Sequence, residues 1–210
     1  MKPSPQHKPD ATPPSDPAAE DMRWMLRAKL GDLEAFEALV TRHFAPMRRF
    51  IQRSLGHLET AEDLTQEVFL RAFRARARYE PTAKVSTWLY TIAVNLVRTH
   101  ARRLATGRLC PARGGDVPPE LPSKRSCPSA ALDEEERAGL VRQEIAALPD
   151  SHREPLILSF YQGLRYREIA EVLGCTENAV KIRLLRARQA LHDRLAPKLA
   201  PDSVPPETET

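Results

Sequence analysis

Residues Gly163–Leu195 read GLRYREIAEVLGCTENAVKIRLLRARQALHDRL. Ile169, Ala170 and Leu173 share one side of a short helix. Gly174 can take the left-handed backbone that ends it. Thr176 is placed to cap a second helix, along which Val180, Leu184, Ala187 and Leu191 recur every three or four residues. Two helices across a tight glycine turn form a helix-turn-helix. Off its apolar side the second helix carries Lys181, Arg183, Arg186, Arg188 and Arg194 against Glu177 and Asp193, a net charge of +3. A cationic helix beyond a sharp turn suits a DNA major groove lined by phosphates. The alternative is a solvated basic helix in an ordinary bundle.

The chain has 210 residues and a formal net charge of +4. That modest excess permits a nucleic-acid partner without requiring one. The distribution of charge is more telling. From Pro81 to Gly115 there is no Asp or Glu, while Lys84, Arg98, Arg102, Arg103, Arg108 and Arg113 all fall there. Acid gathers before it, at Glu59, Glu62, Asp63 and Glu67, so separate acidic and basic surfaces are expected. The three cysteines, Cys110, Cys127 and Cys175, are too widely spaced for a disulfide framework or a zinc pattern. They read as free thiols of a reducing, cytoplasmic setting. No apolar run reaches the roughly 18 residues of a membrane span, and the first twenty residues lack a signal-like apolar core.

In chain order, residues 1–20 are rich in proline and read as a disordered tail. A helical domain is expected over 21–104. Met25 to Lys29 suggests a short helix. From Leu33, residues Phe36, Leu39, Val40, Phe44, Met47, Phe50, Ile51 and Leu55 keep helical spacing up to Gly56, with Pro46 as a bend. A helix over about Ala61 to Ala77 buries Leu64, Val68, Phe69, Ala72 and Phe73. Its other face runs from Glu62, Asp63, Gln66 and Glu67 to Arg71 and Arg74, acids first and bases last, as the helix dipole favours. That face can equally dock a protein.

A further helix over about Ser86 to Arg103 sets Thr91, Asn95, Arg98 and Arg102 on one polar stripe, with Trp88 and Tyr90 at its start. Such a mixture can hold unstacked bases and phosphates of a single strand; the two aromatics can also be core. Residues 105–130, rich in Gly, Pro and Ser, read as a flexible linker between domains that move relative to each other. A second domain over 131–196 starts with a helix marked by Leu132, Leu140, Val141, Ile145 and Leu148. Ser151 to Glu154 matches a capping box for the next, whose core side is Leu156, Ile157, Phe160 and Leu164. Prolines 197, 201, 205 and 206 predict a non-helical tail over 197–210. No alternating strand pattern occurs, so the expected fold is all-α, two small helical domains joined by a linker.

These residues resemble a known family. Gly31 to Arg103 looks like region 2 of bacterial RNA polymerase sigma factors, most specifically in the run Ala61-Glu62-Asp63-Leu64-Thr65-Gln66-Glu67-Val68-Phe69-Leu70-Arg71-Ala72-Phe73. Leu140 to Leu195 looks like region 4, through Leu148-Pro149, Tyr166-Arg167-Glu168-Ile169-Ala170 and Ala179-Val180-Lys181-Ile182-Arg183-Leu184. Having only these two regions is similar to the extracytoplasmic-function subfamily.

The resemblance implies a non-enzymatic specificity subunit with no cofactor and no metal. It would bind core polymerase, on the β′ clamp helices and the β flap, through Glu62, Asp63, Gln66, Glu67, Leu70, Arg71 and Arg74. Trp88, Tyr90, Thr91, Asn95, Arg98 and Arg102 would capture a strand of the −10 element. Thr176, Asn178, Lys181, Ile182, Arg183, Leu185 and Arg186 would read the −35 element. The linker would thread toward the active-site channel, and an anti-sigma factor is an implied partner. Many relatives carry Ser where Ile182 stands and His or an aromatic where Leu185 stands. Apolar residues there favour contact with thymine methyl groups. Arg165 stands where a capping Ser is usual, so some helix capping is expected to be lost. The residues alone also allow a free-standing helix-turn-helix regulator. An enzyme would need Glu62, Asp63 and Glu67 to converge on a metal.

Overall fold

Asp16 opens the first helix by accepting a hydrogen bond from the Ala18 N–H at 3.1 Å, with Pro17 at the first helical position. Proline is tolerated there because its missing N–H would have no partner in any case. This computed structural model describes residues 16–107 and 128–199. Helix α1 spans Pro17–Lys29, α2 Leu33–Leu55, α3 Leu58–Ala75 and α4 Val85–Ala105, with a 3-10 turn over Arg76–Arg78. In the second half α5 spans Pro128–Ala146, α6 Asp150–Phe160, α7 Tyr166–Leu173 and α8 Glu177–Leu199. No strand occurs among the described residues. The expected tail over 1–20 is corrected at its end, since Asp16 and Pro17 already start a helix. The tail up to residue 15, most of the linker (108–127) and residues 200–210 lie outside the described residues, and Cys110 and Cys127 with them.

Helix α2 runs through Pro46 and stops at Gly56, which takes φ +81° as its C-cap. Helices α1 to α4 pack on one another, with Met25, Leu39, Met47, Phe50, Ile51, Val68 and Leu89 among the most deeply buried side chains. Aromatic edges join the helices: Phe36 meets Phe73 at 5.1 Å and Phe50 meets Tyr90 at 5.3 Å. The loop before α4 is pinned by Tyr79, which is buried, meets Trp88 edge-on at 5.5 Å and donates from its hydroxyl to Ala83 O at 2.8 Å. In the second half α8 packs across α5, α6 and α7.

Three expectations in this half are corrected. Ser151 does not cap α6: that helix starts at Asp150 after Pro149, without a side-chain cap, and Glu154 points elsewhere. Phe160 is exposed and faces Arg188, while Leu158 takes the buried position. Helix α8 continues past Pro197 to Leu199. A proline near a C-terminus removes one bond only, and Lys198 and Arg194 reach back to the buried Glu144 and hold the last turns.

The two halves touch. Helix α4 packs on α7, and α2 on α6 and α5, so buried apolar side chains from both halves join in one cluster. The two halves, expected as separate domains, are in contact in this structure.

Helix α1 is tied to α2 by a polar cluster around Asp21, which is 6% exposed. Arg42 donates to Asp21 Oδ1 at 2.8 Å, and to Glu20 at 2.6 Å, and its guanidinium stacks over Trp24. His43 Nε2 lies 2.8 Å from Asp21 Oδ2. Burial alone would raise the Asp21 carboxyl; the hydrogen bonds and charges of His43 and Arg42 outweigh it and hold it below its ordinary value. Its stabilising contribution is thus present above the ordinary carboxylate range and is lost as pH falls through the lowered folded-state value. Asp21→Asn is expected to lower stability at neutral pH by about 2 kcal/mol. It should also flatten the acid limb of urea unfolding midpoints measured between about pH 6 and pH 3. An unchanged acid limb would show that Asp21 is not the group responsible.

Candidate nucleic-acid interface

Helix α3 buries Ala61, Thr65, Val68, Phe69 and Ala72 against the bundle. Its opposite face exposes Glu62, Asp63, Gln66, Leu70, Arg71 and Arg74. Glu67 is half-buried and accepts from Arg71 Nε at 2.6 Å, one turn along. Leu70, half exposed, is the apolar point within this charged face. The sequence placed all seven on one side, and they are found there.

Helix α4 divides its candidates. Asn95 and Arg102 are exposed, and Arg102 Nε donates to Arg98 O at 3.3 Å. Thr91 is half-buried, its hydroxyl spent on Thr87 O at 2.9 Å. Trp88 is half-buried against Tyr79. Tyr90 is not displayed at all: it is 4% exposed, lies against Phe50 and donates from its hydroxyl to Gln162 Oε1 at 2.6 Å. Burial pushes its phenol well above the ordinary range. An aromatic on the apolar side of α4 follows the core spacing of Val94 and Val97, four and seven residues on, which outweighs its nearness to the stripe.

Arg98 is engaged by the other half of the chain. Its Nε donates to Glu154 Oε1 at 2.9 Å and its Nη2 to Glu154 Oε2 at 2.7 Å, a two-pronged pair. Glu154 is 4% exposed. That hydrogen bond, foremost, keeps the guanidinium raised above its ordinary value. Lys84, at the start of α4, pairs with Glu168 of α7 at 2.6 Å. Burial would raise the Glu168 carboxyl, but Lys84 and the Arg165 N–H outweigh it and hold it low. The guanidinium of Arg53 lies over Tyr161 at 4.1 Å, and desolvation there lowers its affinity for a proton. Sequence reasoning missed Lys84, Glu154, Gln162 and Glu168. A signal existed for Glu154: it precedes Ile157 and Leu158 by three and four residues, which puts its carboxylate on the buried side of α6.

The helix-turn-helix has the expected local chemistry. Gly174 takes φ +64° and Thr176 Oγ1 accepts from the Ala179 N–H at 3.2 Å. The capping loss expected at Arg165 is partly offset, because Glu168 accepts from the Arg165 N–H at 2.8 Å. Helix α8 buries Val180, Leu184 and Ala187 and exposes Asn178, Lys181, Ile182, Leu185 and Arg186. Ile182 is 43% and Leu185 68% exposed, an apolar pair at the surface. Arg183 turns inward, its Nη1 3.6 Å from Cys175 Sγ. It lines a cleft of about 400 Å³ together with Arg98, Arg102, Asp150, Ser151 and Glu154. No group of three or more His, Cys, Asp or Glu side chains among the described residues could hold a metal ion. Glu62, Asp63 and Glu67 form a surface rather than a site.

Comparison with known proteins agrees in order and extent. Residues 39–106 match the family described as Sigma-70 region 2, and residues 138–191 match Sigma-70, region 4. RNA polymerase sigma-H factor of Pseudomonas aeruginosa is 33% identical over 190 residues, covering 86% of this chain and 96% of that protein. ECF RNA polymerase sigma factor SigW of Bacillus subtilis is 30% identical, covering 80% and 93%. Among solved structures, CnrH in complex with the cytosolic domain of CnrY is 27% identical with a TM-score of 0.63, covering 85% of this chain and 98% of that one.

The cap on α8 gives a local prediction. Thr176→Ala is expected to cost about 1 kcal/mol, read in thermal unfolding, while Thr176→Ser should restore most of it. An Ala variant as stable as the parent would mean that the 3.2 Å contact carries no capping energy.

Proposed function

The chain belongs to the RNA polymerase sigma factors of the extracytoplasmic-function group, and on that premise we propose how its own surfaces divide the work. A sigma factor is a transcription initiation factor, not an enzyme. It binds core RNA polymerase and promoter DNA. In this reading Glu62, Asp63, Gln66, Glu67, Leu70, Arg71 and Arg74 of α3 dock on the clamp helices of the β′ subunit, and the C-terminal domain meets the β flap. The observation that carries this is the exposed face of α3, ordered from acid to base around Leu70, in a chain that also holds an exposed basic reading helix.

Helix α8 enters the major groove at the −35 element, its phosphate contacts from Lys181 and Arg186 and its base contacts from Ile182 and Leu185. Thr176 and Asn178 start the helix beside the backbone, and Arg183 joins them once it leaves the cleft. Apolar Ile182 and Leu185 favour thymine methyl groups over hydrogen-bonding base edges. Helix α4 takes the −10 element as a single strand: Asn95, Arg98 and Arg102 hold backbone and base, with Trp88 and Thr91 beside them. Binding the exposed strand offsets the cost of unpairing. Tyr90 acts from within the core, by fixing α4. The domains are 21–104 and 131–196, with 105–130 as the connection that lets the two readers span separate elements.

No helix among the described residues is long and apolar enough to cross a membrane; the site of action is the cytoplasm, where polymerase and promoters are. A regulatory anti-sigma protein completes the set of partners.

The test is reconstitution. Mixed with core polymerase and a promoter library, the protein is expected to form a holoenzyme and start transcription downstream of a common pair of elements. Failure to do either would remove the reading. Asp63→Arg should weaken polymerase binding about tenfold or more and leave binding of isolated −35 duplex unchanged. Equal loss of both would point to misfolding rather than docking. Ile182→Ser together with Leu185→His should change the preferred base at one or two −35 positions, by about 1–3 kcal/mol per position, read in a duplex-binding selection. An unchanged preference would take base reading away from this pair.

A further inference from the structure

Helix α1 precedes the stretch that matches region 2, residues 39–106. Its inward side is core, with Met25 and Ala28 buried. Its last turn makes a different contact. Lys29, an exposed residue, donates from Nζ to the Tyr79 carbonyl at 3.1 Å. In the opposite direction Arg76 Nε donates to the Ala28 carbonyl at 3.2 Å. Arg76 is itself fixed to the end of α3: its Nη1 donates to Phe73 O at 2.6 Å, and its guanidinium lies over the Phe73 ring at 3.8 Å. Two crossed hydrogen bonds therefore tie the end of α1 to the chain where it leaves α3 for α4.

Tyr79 carries that tie toward the surface. It ends the 3-10 turn with φ −66° and ψ 130°, an extended backbone whose carbonyl no longer serves a helix. Lys29 holds that carbonyl, and the Tyr79 hydroxyl closes the loop on Ala83 O at 2.8 Å. Both ends of the loop over 79–83 are thus held by side chains, with Pro81 and Thr82 exposed at its tip. The Tyr79 ring also meets Trp88 edge-on at 5.5 Å. Trp88 stands three residues before Thr91 and seven before Asn95, so it heads the polar stripe of α4. One buried ring links Lys29 to the head of that stripe.

Resting on the reading of α4 as the strand-binding helix, we propose that Lys29 is a positioning residue for strand capture, acting through Tyr79 on Trp88 and on the loop before α4. Lys29 touches no nucleic acid in this role. It orders the loop and the Trp88 ring before a strand arrives, so that ordering is not charged against binding. A strand that fits the prepared site gains from this. A strand held by its phosphates alone gains nothing, because phosphate contacts carry no sequence. Losing Lys29 therefore lowers discrimination between strands rather than general affinity.

The experiment uses holoenzyme reconstituted with core polymerase and two fluorescein-labelled single strands. One carries the −10 sequence recovered from the promoter library, the other the same bases scrambled. Anisotropy gives the affinity for each, and their ratio is the discrimination. Lys29→Met keeps the aliphatic stem and removes the donor. It is expected to lower the ratio about fivefold, with scrambled-strand affinity, polymerase binding and thermal unfolding those of the parent. Lys29→Arg keeps a donor and should recover most of the ratio. Arg23→Met, the same loss of charge at an exposed position of α1, should leave the ratio unchanged. An equal loss on both strands in Lys29→Met would overturn the proposal, since charge alone would account for it. An unchanged ratio would overturn it as well. If Lys29→Met does not fold, Lys29→Gln carries the same ratio and the same two refutations. The reading beneath the proposal fails separately. An Asn95→Ala holoenzyme with the parent's ratio would remove α4 from strand reading. An Asn95→Ala holoenzyme that loses the ratio, beside a Lys29→Met one that keeps it, would leave α4 in place and remove Lys29.

Discussion

Helix α4 is packed on two sides, and most of the architecture follows from that constraint. Toward α1, α2 and α3 it buries a continuous apolar face; toward α7 it meets a second domain. Eight of its residues are buried, and its remaining polar stripe is what a ligand can use. An element held this way is rigid, so its exposed side chains keep fixed positions. The loop before it is equally constrained, with Tyr79 bonded to Ala83 O and Lys29 donating to Tyr79 O at 3.1 Å.

The contact between the domains is built differently from the cores on either side. Its polar members are unequal. Lys84–Glu168 is half exposed and is of the kind worth about 0.2–1 kcal/mol. Arg98–Glu154 buries its carboxylate, so losing one partner costs far more than the pair contributes beside an apolar substitute. The part exposure of Arg98 moderates both effects. Such a contact resists being left half-empty, since removal of Arg98 would strand a buried carboxylate.

Much of this is legible in the amino-acid sequence. The helix-turn-helix is, because Gly174 and Thr176 act through backbone geometry and a local hydrogen bond, which neighbours do not change. The face of α3 is, because an exposed helix keeps a clean division between apolar and charged sides. Helix α6 is not, because it is packed by α8, α7 and α2 together. Leu156, Ile157 and Leu158 are buried in succession, so no single apolar stripe marks the core side and Phe160 was misassigned. Glu154 was read as a capping partner for the same reason. The local pattern offered a cap, and the tertiary partner, 56 positions away in Arg98, had no local signature. Tyr90 was drawn to the wrong side by its neighbours in sequence, when its helical register already placed it inward.

Helix α8 shows the opposite economy. Over its 23 residues only Val180, Leu184 and Ala187 are buried. Ile182 and Leu185 are apolar, exposed and beside the basic positions. Leu185, 68% exposed, adds little to the core, whose seats on this helix are taken by Val180, Leu184 and Ala187. A basic helix that only needed phosphate contacts would carry polar residues at both places. In the docking proposed for α8, their exposure suits a groove floor, where a methyl group meets a methyl group.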